Sequence, residues 1–306
     1  GLDLYMVDWG YPSEGDRFLT LEDYIDHFQD RFRRISRLLR HRMDIRDATS
    51  VAEALKSANK KKTKIICMII EKRESKHGIF LNVEDLESTA TVYVPLDHRS
   101  PVAEKAREVV LDQVVCIEVV KGKGDLLIAD DLLFPELPNR RPNTAPIPIH
   151  AALISDLHIG SKMFMEREFK RFMLWLKGDF GDEKAKMVAS RVKYVIIAGD
   201  LVDGVGIYPQ QINELEIKDI YKQYEASAKF LENIPDYIEV IIIPGNHDAT
   251  RRALPQPAIQ RKYAEPLHEA RKIHSLGDPS VIALHGVYVL LSHGRSLDDV
   301  ISLVPD

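Results

Sequence analysis

The sequence predicts an α/β protein with two domains, a small β-barrel followed by a domain of layered sheets and flanking helices. Three observations support this prediction: a run of strand candidates within residues 62–136, a proline-rich segment after it, and an alternation of strands and helices beyond residue 150. A chain of 306 residues is long enough for about two domains, each with its own hydrophobic core.

Residues 1–61 are predicted to form a helical segment. Apolar residues recur at helical spacing within 19–42, and this pattern favours a long amphipathic helix. We expect the helix to pack on the barrel through its apolar stripe and to leave its arginines in solvent. The stripe residues expected to pack are Tyr24, Phe28, Phe32 and Ile35.

Residues 62–136 are predicted to form a five-stranded OB-like barrel, because three strand candidates are followed by a helix and then by two more strands. In chain order these stretches are TKIICMIIEKR, HGIFLNVEDL, TATVYVPL, AEKAREVV, QVVCIEVVKG and DLLIADDLLF. Cys67 and Cys116 lie within apolar strand candidates and lack the spacing of metal ligands. We therefore expect both to be reduced, buried thiols.

The segment FPELPNRRPNTAPIPI, residues 134–149, contains five prolines and predicts a stiff linker over 137–149. After it, strand candidates alternate with helical spacing at 166–178 and 220–234. This alternation predicts a second, layered α/β domain over 150–306.

The composition is that of a globular protein, with 45% hydrophobic and 29% charged residues. Apolar runs are far shorter than the roughly 20 residues of a membrane span, so we expect no membrane partner and a cytoplasmic protein. A net charge of −5 gives no overall sign of nucleic-acid binding, although 31–42 and 59–64 are basic. Such runs are more often solvated surface than DNA contacts, and both interpretations stay open.

Polar side chains follow four strand candidates at the points where the strands end. The stretches are HAALISDLHIG, YVIIAGDLVDG, EVIIIPGNHDAT and VYVLLSHGRS. Ligands in α/β domains bind beyond the carboxyl ends of the strands, so we expect these side chains to meet at one edge. Gly199 and Gly245 would leave room for the sharp turns that bring them together.

These side chains suit metal binding. Carboxylates, an amide oxygen and imidazoles without thiolates favour divalent ions such as manganese, iron, zinc or magnesium. Two such ions about 3.5–4 Å apart can activate water and stabilise a phosphoryl oxygen. The sequence therefore predicts a site for divalent metal ions at this edge.

The motifs DLH, GDLVDG, GNHD and SHG resemble the calcineurin-like metallophosphoesterase superfamily. Over 62–306, the OB-like region, the prolines and the stretches ISDLHIGSK, IIAGDLVDGVGIYP and PGNHDATRRALPQP are similar to the small subunits of archaeal family D DNA polymerases. The last stretch is specific, because the superfamily as a whole lacks its Arg-Arg and Pro-Gln-Pro.

The resemblance implies metal ligands by position. Asp156 and His158 would bind the first ion, and Asp200 would bridge the two. Asn246 and His293 would bind the second ion.

The resemblance also implies catalytic residues. His247 would stabilise the transition state and protonate the leaving 3′ oxygen, while Asp248 would hold its imidazole in orientation. Asp203 would lie behind the ligands and would not bind a metal ion itself. Arg251 and Arg252 are candidate phosphate contacts, with ordinary surface packing as the alternative.

The implied activity is the 3′–5′ proofreading exonuclease of a two-subunit DNA polymerase. The implied partners are the large catalytic subunit and DNA, with the sliding clamp as a further candidate. Two other functions stay open, an inactive scaffold subunit and a phosphomonoesterase. The intact polar residues at the strand ends argue against a scaffold, and the OB-like barrel argues against a monoesterase.

The superfamily has a further Gly-His-x-His motif that supplies one more ligand to each ion. That motif does not occur after His293, and the chain starts at Gly1 rather than at Met. We therefore expect a fragment in which the metallophosphoesterase domain lacks its C-terminal part.

Overall fold

The computed structural model describes residues 2–3, 20–96, 101–136, 139 and 141–303. The helices are α1 (Leu21–Arg40), α2 (Val51–Lys56), α3 (Pro101–Glu108), α4 (Glu166–Lys177), α5 (Glu183–Ala189), α6 (Ile220–Leu231), α7 (Arg261–Ala270) and α8 (Arg295–Leu303). The strands are β1 (Leu2–Asp3), β2 (Lys62–Glu74), β3 (Gly78–Glu84), β4 (Thr89–Pro95), β5 (Val114–Lys121), β6 (Leu126–Leu133), β7 (His150–Ile154), β8 (Val192–Ala198), β9 (Glu239–Ile243), β10 (Ile273–Ser275), β11 (Ser280–Leu284) and β12 (Val287–Leu291). A short 3₁₀ helix spans Gln211–Asn213.

The chain divides into two compact units. One is built within residues 18–140 and 296–306, and the other within 1–17 and 141–295. The division at 140 and 141 falls inside the proline-rich segment. Residues 18–61 of the helical segment group with the barrel, and so do the residues after 295, which we expect in the second domain.

Five strands of the first unit close into a barrel in the order β2-β3-β4-β6-β5. Neighbouring strands are antiparallel except for β4 and β6, which pair in parallel and complete the closure. The predicted order of three strands, one helix and two strands is confirmed. Alternating apolar side chains fill the interior, among them Ile65, Leu81, Val92 and Leu127.

Helix α1 begins at a capping box formed by Thr20 and Asp23. Its C-terminal half covers an outer face of the barrel, where Leu39 packs with Cys116 and neighbouring apolar residues. Phe32 and Ile35 join this cluster as predicted. The predicted packing of Phe28 is wrong, since 60% of this residue is exposed. The apolar stripe is longer than the barrel surface that it meets, and the Tyr24 side chain lies outside the described residues.

Both cysteines are buried free thiols, as predicted. Cys67 lies in the barrel interior and Cys116 lies in the cluster beneath α1. The two residues stand on neighbouring antiparallel strands but face opposite sides, because side chains alternate along a strand.

The second unit stacks helices on one sheet and that sheet on another. Strands β10-β9-β8-β7 form a parallel sheet, and β1-β11-β12 form an antiparallel one. Val195 and Ile242 on the parallel sheet face the helices, whereas Ile196 and Ile241 face Ile282 of the other sheet. Strands β8 and β9 are therefore buried on both faces, which explains their continuous apolar sequences.

Among the described residues, no helix is both long and apolar enough to cross a membrane.

Candidate metal centre

The predicted site residues follow strands of both sheets in the second unit. Asp156 and His158 follow β7, Asp200 follows β8, and Asn246 follows β9. These three strands are parallel, so their carboxyl ends share one edge, as expected. The expectation that His293 comes from the same edge is wrong. It follows β12 of the antiparallel sheet, which packs against the parallel one and brings the imidazole to the same place.

Three of these residues have a backbone conformation that side chains other than glycine seldom adopt. The φ angles are +54° at Asp156, +49° at His158 and +52° at Asp200. A left-handed conformation costs such a residue on the order of 1–3 kcal/mol, and this strain is concentrated at functional sites. The cost is offset by the rest of the fold, including a hydrogen bond from the Asp156 N–H to the Gly199 carbonyl at 3.0 Å.

Two glycines allow the turns to approach closely. A Cβ atom on Gly245 would overlap a carboxylate oxygen of Asp200, and one on Gly199 would overlap the His293 ring. Gly199 also has a φ of +97°, whereas Gly245 is needed for space alone. The predicted role of both glycines is confirmed.

The buried carboxylate of Asp200 lies at the centre of the cluster. Its Oδ2 atom is 3.4 Å from His293 Nε2 and 3.6 Å from His158 Nε2. Its Oδ1 atom accepts the backbone N–H of His247 at 2.8 Å. Among the residues that the structure describes, potential ligand atoms of histidine and acidic side chains within 4.8 Å of one another form two groups, and both include Asp200. The groups are Asp156, Asp200 and His293, and His158, Asp200 and His247.

Two further distances describe how the other candidate ligands lie. Asp156 Oδ1 is 3.9 Å from His158 Nε2, but the two groups separate these residues. The second group includes His247, for which the resemblance implies a catalytic role and not metal binding. Asn246 Oδ1 is 3.3 Å from His293 Nε2. All five candidate ligands are thus brought together, with Asp200 in the shared position.

Each of the three histidines has its Nδ1 atom fixed by a protein acceptor. Nδ1 lies 2.9 Å from Asp203 Oδ1 in His158, 2.6 Å from the Asp203 carbonyl in His247, and 2.8 Å from the Ala198 carbonyl in His293. A carbonyl can only accept, so Nδ1 of His247 and of His293 carries the proton. The Nε2 atom of His247 is left for another partner, whereas that of His293 faces Asp200 Oδ2 at 3.4 Å and Asn246 Oδ1 at 3.3 Å. A histidine that binds a metal is typically oriented in this way.

Asp203 supports two histidines at once. Its carboxylate accepts from His158 and its carbonyl from His247. The buried Gln211 amide holds Asp203 in turn, with Nε2 at 2.8 Å from the carbonyl and 3.1 Å from Oδ2. Asp203 thus lies behind two imidazoles, and its role in supporting metal ligands stays a prediction.

The predicted contact between Asp248 and the His247 ring is replaced by another arrangement. The Asp248 carboxylate accepts the backbone N–H groups of Gly245 at 2.9 Å and Leu201 at 3.3 Å, and the Tyr224 hydroxyl at 3.2 Å. The side chain points into the protein, where it joins the turns after β8 and β9. Asp248 therefore positions His247 through the backbone.

Other supporting residues have no strong sequence signal. Gln223 and Tyr224 are buried on α6, where they bond Gly204 and Asp248 respectively. Asp278 is also buried, and its Oδ1 accepts the backbone N–H of His293 at 3.2 Å. A weak signal is present for two of them, because Gln223 and Tyr224 are polar residues on the buried side of the amphipathic helix α6.

The electrostatics of the cluster favour a positive charge beside Asp200. A hydrogen bond with Asp200 raises the pKa of His293 to about 9, although burial acts in the opposite direction. Burial raises the pKa of Asp200, but His293 and His247 outweigh burial and the pKa is lowered. Burial raises the pKa of Asp248 to about 6, although backbone N–H groups counteract it.

Arg251 and Arg252 both lie close to the site. Arg251 Nη2 donates to the Pro255 carbonyl at 2.7 Å, and Arg252 Nη2 donates to the Ile207 carbonyl at 3.2 Å. Arg252 is exposed and Arg251 is half-buried. These bonds hold the loop after His247 together, and a phosphate contact by either arginine stays a prediction.

A family model that describes the B subunits of DNA polymerases alpha and epsilon matches residues 151–302. The chain is also similar to curated proteins named "DNA polymerase II small subunit". The Pyrococcus abyssi protein is 37% identical over 97% of this chain and 48% of its own length. The Archaeoglobus fulgidus protein is 37% identical over 94% of this chain and 56% of its own length. The Methanothermobacter thermautotrophicus protein is 38% identical over 91% of this chain and 57% of its own length. The chain thus spans about half the length of the curated relatives it matches.

Proposed function

The chain belongs to the family of archaeal DNA polymerase II small subunits, and we propose that it carries the metal-dependent 3′–5′ exonuclease of a two-subunit family D DNA polymerase. The reaction is hydrolysis of the last phosphodiester of a DNA strand, with release of a nucleoside 5′-monophosphate. The observation that carries this proposal is the buried Asp200 carboxylate, whose Oδ2 atom lies 3.6 Å from His158 Nε2 and 3.4 Å from His293 Nε2.

The donors fit a pair of divalent ions. Asp156, His158, Asn246 and His293 surround Asp200 with oxygen and imidazole donors, and neither group contains a thiolate. Such a set suits manganese, with iron, zinc and magnesium as alternatives. When bound, the ions would lower the pKa of a water molecule and stabilise charge on the phosphoryl oxygens.

His247 is proposed as the general acid. Its Nδ1 donates to the Asp203 carbonyl, so Nε2 is the nitrogen available to protonate the leaving 3′ oxygen. Asp203 fixes the ring, while Asp248 fixes the turn that carries it. Arg251 and Arg252 are proposed phosphate contacts on the loop that follows.

The partners belong to the same proposal. The chain would bind the large catalytic subunit and the 3′ end of a primer in the cytoplasm, at the nucleoid, with the sliding clamp as a further partner. The closed five-stranded barrel has the strand number of an OB fold, which commonly binds oligonucleotides. We propose that it contacts DNA or the large subunit.

The test is a time course with a 5′-labelled primer that ends in a 3′ mismatch, using the full-length protein and Mn²⁺. We expect products that shorten one nucleotide at a time. His247→Ala should slow shortening by about 100-fold or more, since a general acid contributes about 10²–10⁴ to the rate. The control is His274→Ala, because His274 is bonded to Glu239 outside the cluster.

Absence of shortening by the wild-type protein, with metal bound, would leave the scaffold function. A phosphomonoesterase is distinguished by chromogenic esters. Hydrolysis of p-nitrophenyl phosphate in preference to bis(p-nitrophenyl) phosphate would contradict the proposed diesterase.

A further inference from the structure

A cavity of about 460 Å³ lies directly beside His247. The turn that carries His247 and Arg251 forms one wall, and the start of α7, with Lys262 and Tyr263, forms another. Ile207 is among the apolar side chains that complete the lining. The volume lies in the range of about 300–1,000 Å³ that is typical of small-molecule sites.

The aromatic wall is held in place by a second ring. Tyr263 is half-buried, and its ring lies 5.3 Å from the Tyr221 ring, with 38° between the planes. Both residues belong to helices, α6 and α7, that pack together on the same face of the parallel sheet. Tyr263 thus offers a fixed aromatic surface, and nucleobases stack on such surfaces without regard to their sequence.

Two cationic side chains line the same cavity. Arg251 is held by the Pro255 carbonyl, and the Gln256 amide holds the Arg251 carbonyl at 2.9 Å, so this wall is fixed as well. Lys262 is exposed, and its ammonium lies 5.0 Å from the centre of the Tyr263 ring. A lysine on a long, exposed stem can leave the ring for a nearby phosphate.

We propose that this cavity binds the nucleoside next to the phosphodiester on which His247 acts, with the base on Tyr263 and a phosphate on Lys262 or Arg251. The proposal rests on the proposed function in one respect, the role of His247. It also defines the ligand more closely. Inorganic phosphate has no group that would contact an aromatic ring or an apolar lining, whereas a nucleoside phosphate has a base that can contact both. The ligand class is a nucleoside 5′-phosphate, either released or at the end of a strand.

Binding of dAMP is compared with binding of 2-deoxyribose 5-phosphate, which has the same sugar and phosphate but no base. Isothermal titration calorimetry is carried out on the full-length protein without added metal. The measured affinity then does not depend on exonuclease activity. We expect dAMP to bind about tenfold more tightly or better, as stacking of a base on an aromatic ring contributes about this much. Equal affinities would overturn the proposal whatever the variants do.

Substitutions of Tyr263 test whether its ring is the one on which the base stacks. Tyr263→Ala should weaken dAMP binding about tenfold and leave 2-deoxyribose 5-phosphate unchanged, while Tyr263→Phe should bind dAMP as the wild type does. The matched control is Tyr237→Ala, since Tyr237 is an exposed tyrosine with the Lys193 ammonium 4.7 Å from its ring centre, outside the cavity. A Tyr263→Ala protein that melts like the wild type and binds dAMP equally well would contradict the proposal.

A second arm distinguishes the two sources of the nucleotide. Fluorescence anisotropy follows a short single strand that ends in a 3′ nucleotide or in a 3′ abasic site. If the abasic strand binds more weakly than the strand with a 3′ nucleotide, and Tyr263→Ala abolishes this difference, the cavity is assigned to the end of a strand. If only dAMP binding depends on the base, the cavity is assigned to the released nucleotide. Base-dependent binding without exonuclease activity would refute the proposed function but not the nucleoside site. Exonuclease activity without base-dependent binding would refute the nucleoside site alone.

Discussion

At the scale of single residues, Asp203 is the most informative support of the site, because it holds both His158 and His247. Asp203→Asn removes the charged acceptor of His158 while it keeps the size of the side chain. Loss of such a supporting partner typically lowers metal affinity or activity about 10- to 100-fold, and we expect this loss in Mn²⁺ titrations and in primer shortening. Glu239→Gln is the matched control, since Glu239 is bonded to His274 at 2.8 Å away from the cluster. Equal effects of the two substitutions would contradict this role.

Gly245 gives a second prediction at this scale. Gly245→Ala would drive a methyl group into the Asp200 carboxylate, so we expect loss of Mn²⁺ binding and of primer shortening. The control is Gly178→Ala, where a Cβ meets nothing within 4 Å but φ is +80°. That variant should lose about 1–2 kcal/mol of unfolding free energy and keep its activity. Unchanged Mn²⁺ affinity in Gly245→Ala would show that the close approach is not needed.

The convergence of these residues could be predicted from the sequence, but their orientation could not. Asp156, His158, Asp200 and Asn246 stand directly after apolar runs, and the ends of parallel strands must share an edge. Which acceptor binds each imidazole depends on the directions of turns that have no periodicity. The resemblance implies a contact between Asp248 and the His247 ring, whereas the Asp248 carboxylate binds backbone N–H groups.

At the scale of elements, the contact between α1 and the barrel can be tested through the cysteines. Burial raises the pKa of Cys116 to about 12, and burial also raises the pKa of Cys67. A thiol must ionise to react, so at pH 8 about one ten-thousandth of Cys116 is reactive in the folded protein. We expect neither cysteine to react with iodoacetamide before unfolding, and both to react in denaturant.

Loosening α1 should expose one cysteine before the other. Leu39 is 1% exposed in the cluster with Cys116, so Leu39→Ala should destabilise this contact by about 2–5 kcal/mol. Mass spectrometry after timed labelling should then find Cys116 modified faster than Cys67, which lies in the barrel interior. Leu38→Ala is the control, because Leu38 is 53% exposed. Equal labelling rates for the two thiols in Leu39→Ala would contradict a separable helix.

The elements were predictable where their pattern is long and regular. The strand order of the barrel and helices α1, α4 and α6 follow from period-2 and period-3.6 patterns. The sheet to which β12 belongs was not predictable, since five apolar residues pack equally well in either sheet. Nor could the pattern of α1 reveal that Phe28 is largely exposed whereas Phe32 and Ile35 pack in the cluster.

At the scale of the whole molecule, membership in the small-subunit family leaves two functions to separate, a nuclease and a scaffold. A scaffold needs buried cores and docking surfaces, but it has no need of strained residues that converge on one carboxylate. The left-handed conformations of Asp156, His158 and Asp200 therefore weigh in favour of a working site.

The most direct measurement is a calorimetric titration of the full-length, metal-free protein with Mn²⁺. Because Asp200 belongs to both groups of donors, we expect two ions per chain in the wild type and loss of both in Asp200→Asn. His293→Ala should weaken one ion selectively, and the control Asp219→Asn should bind as the wild type does, since Asp219 caps α6 instead. No Mn²⁺ binding by the wild type, or unchanged binding by Asp200→Asn, would contradict the account of this cluster as a metal centre.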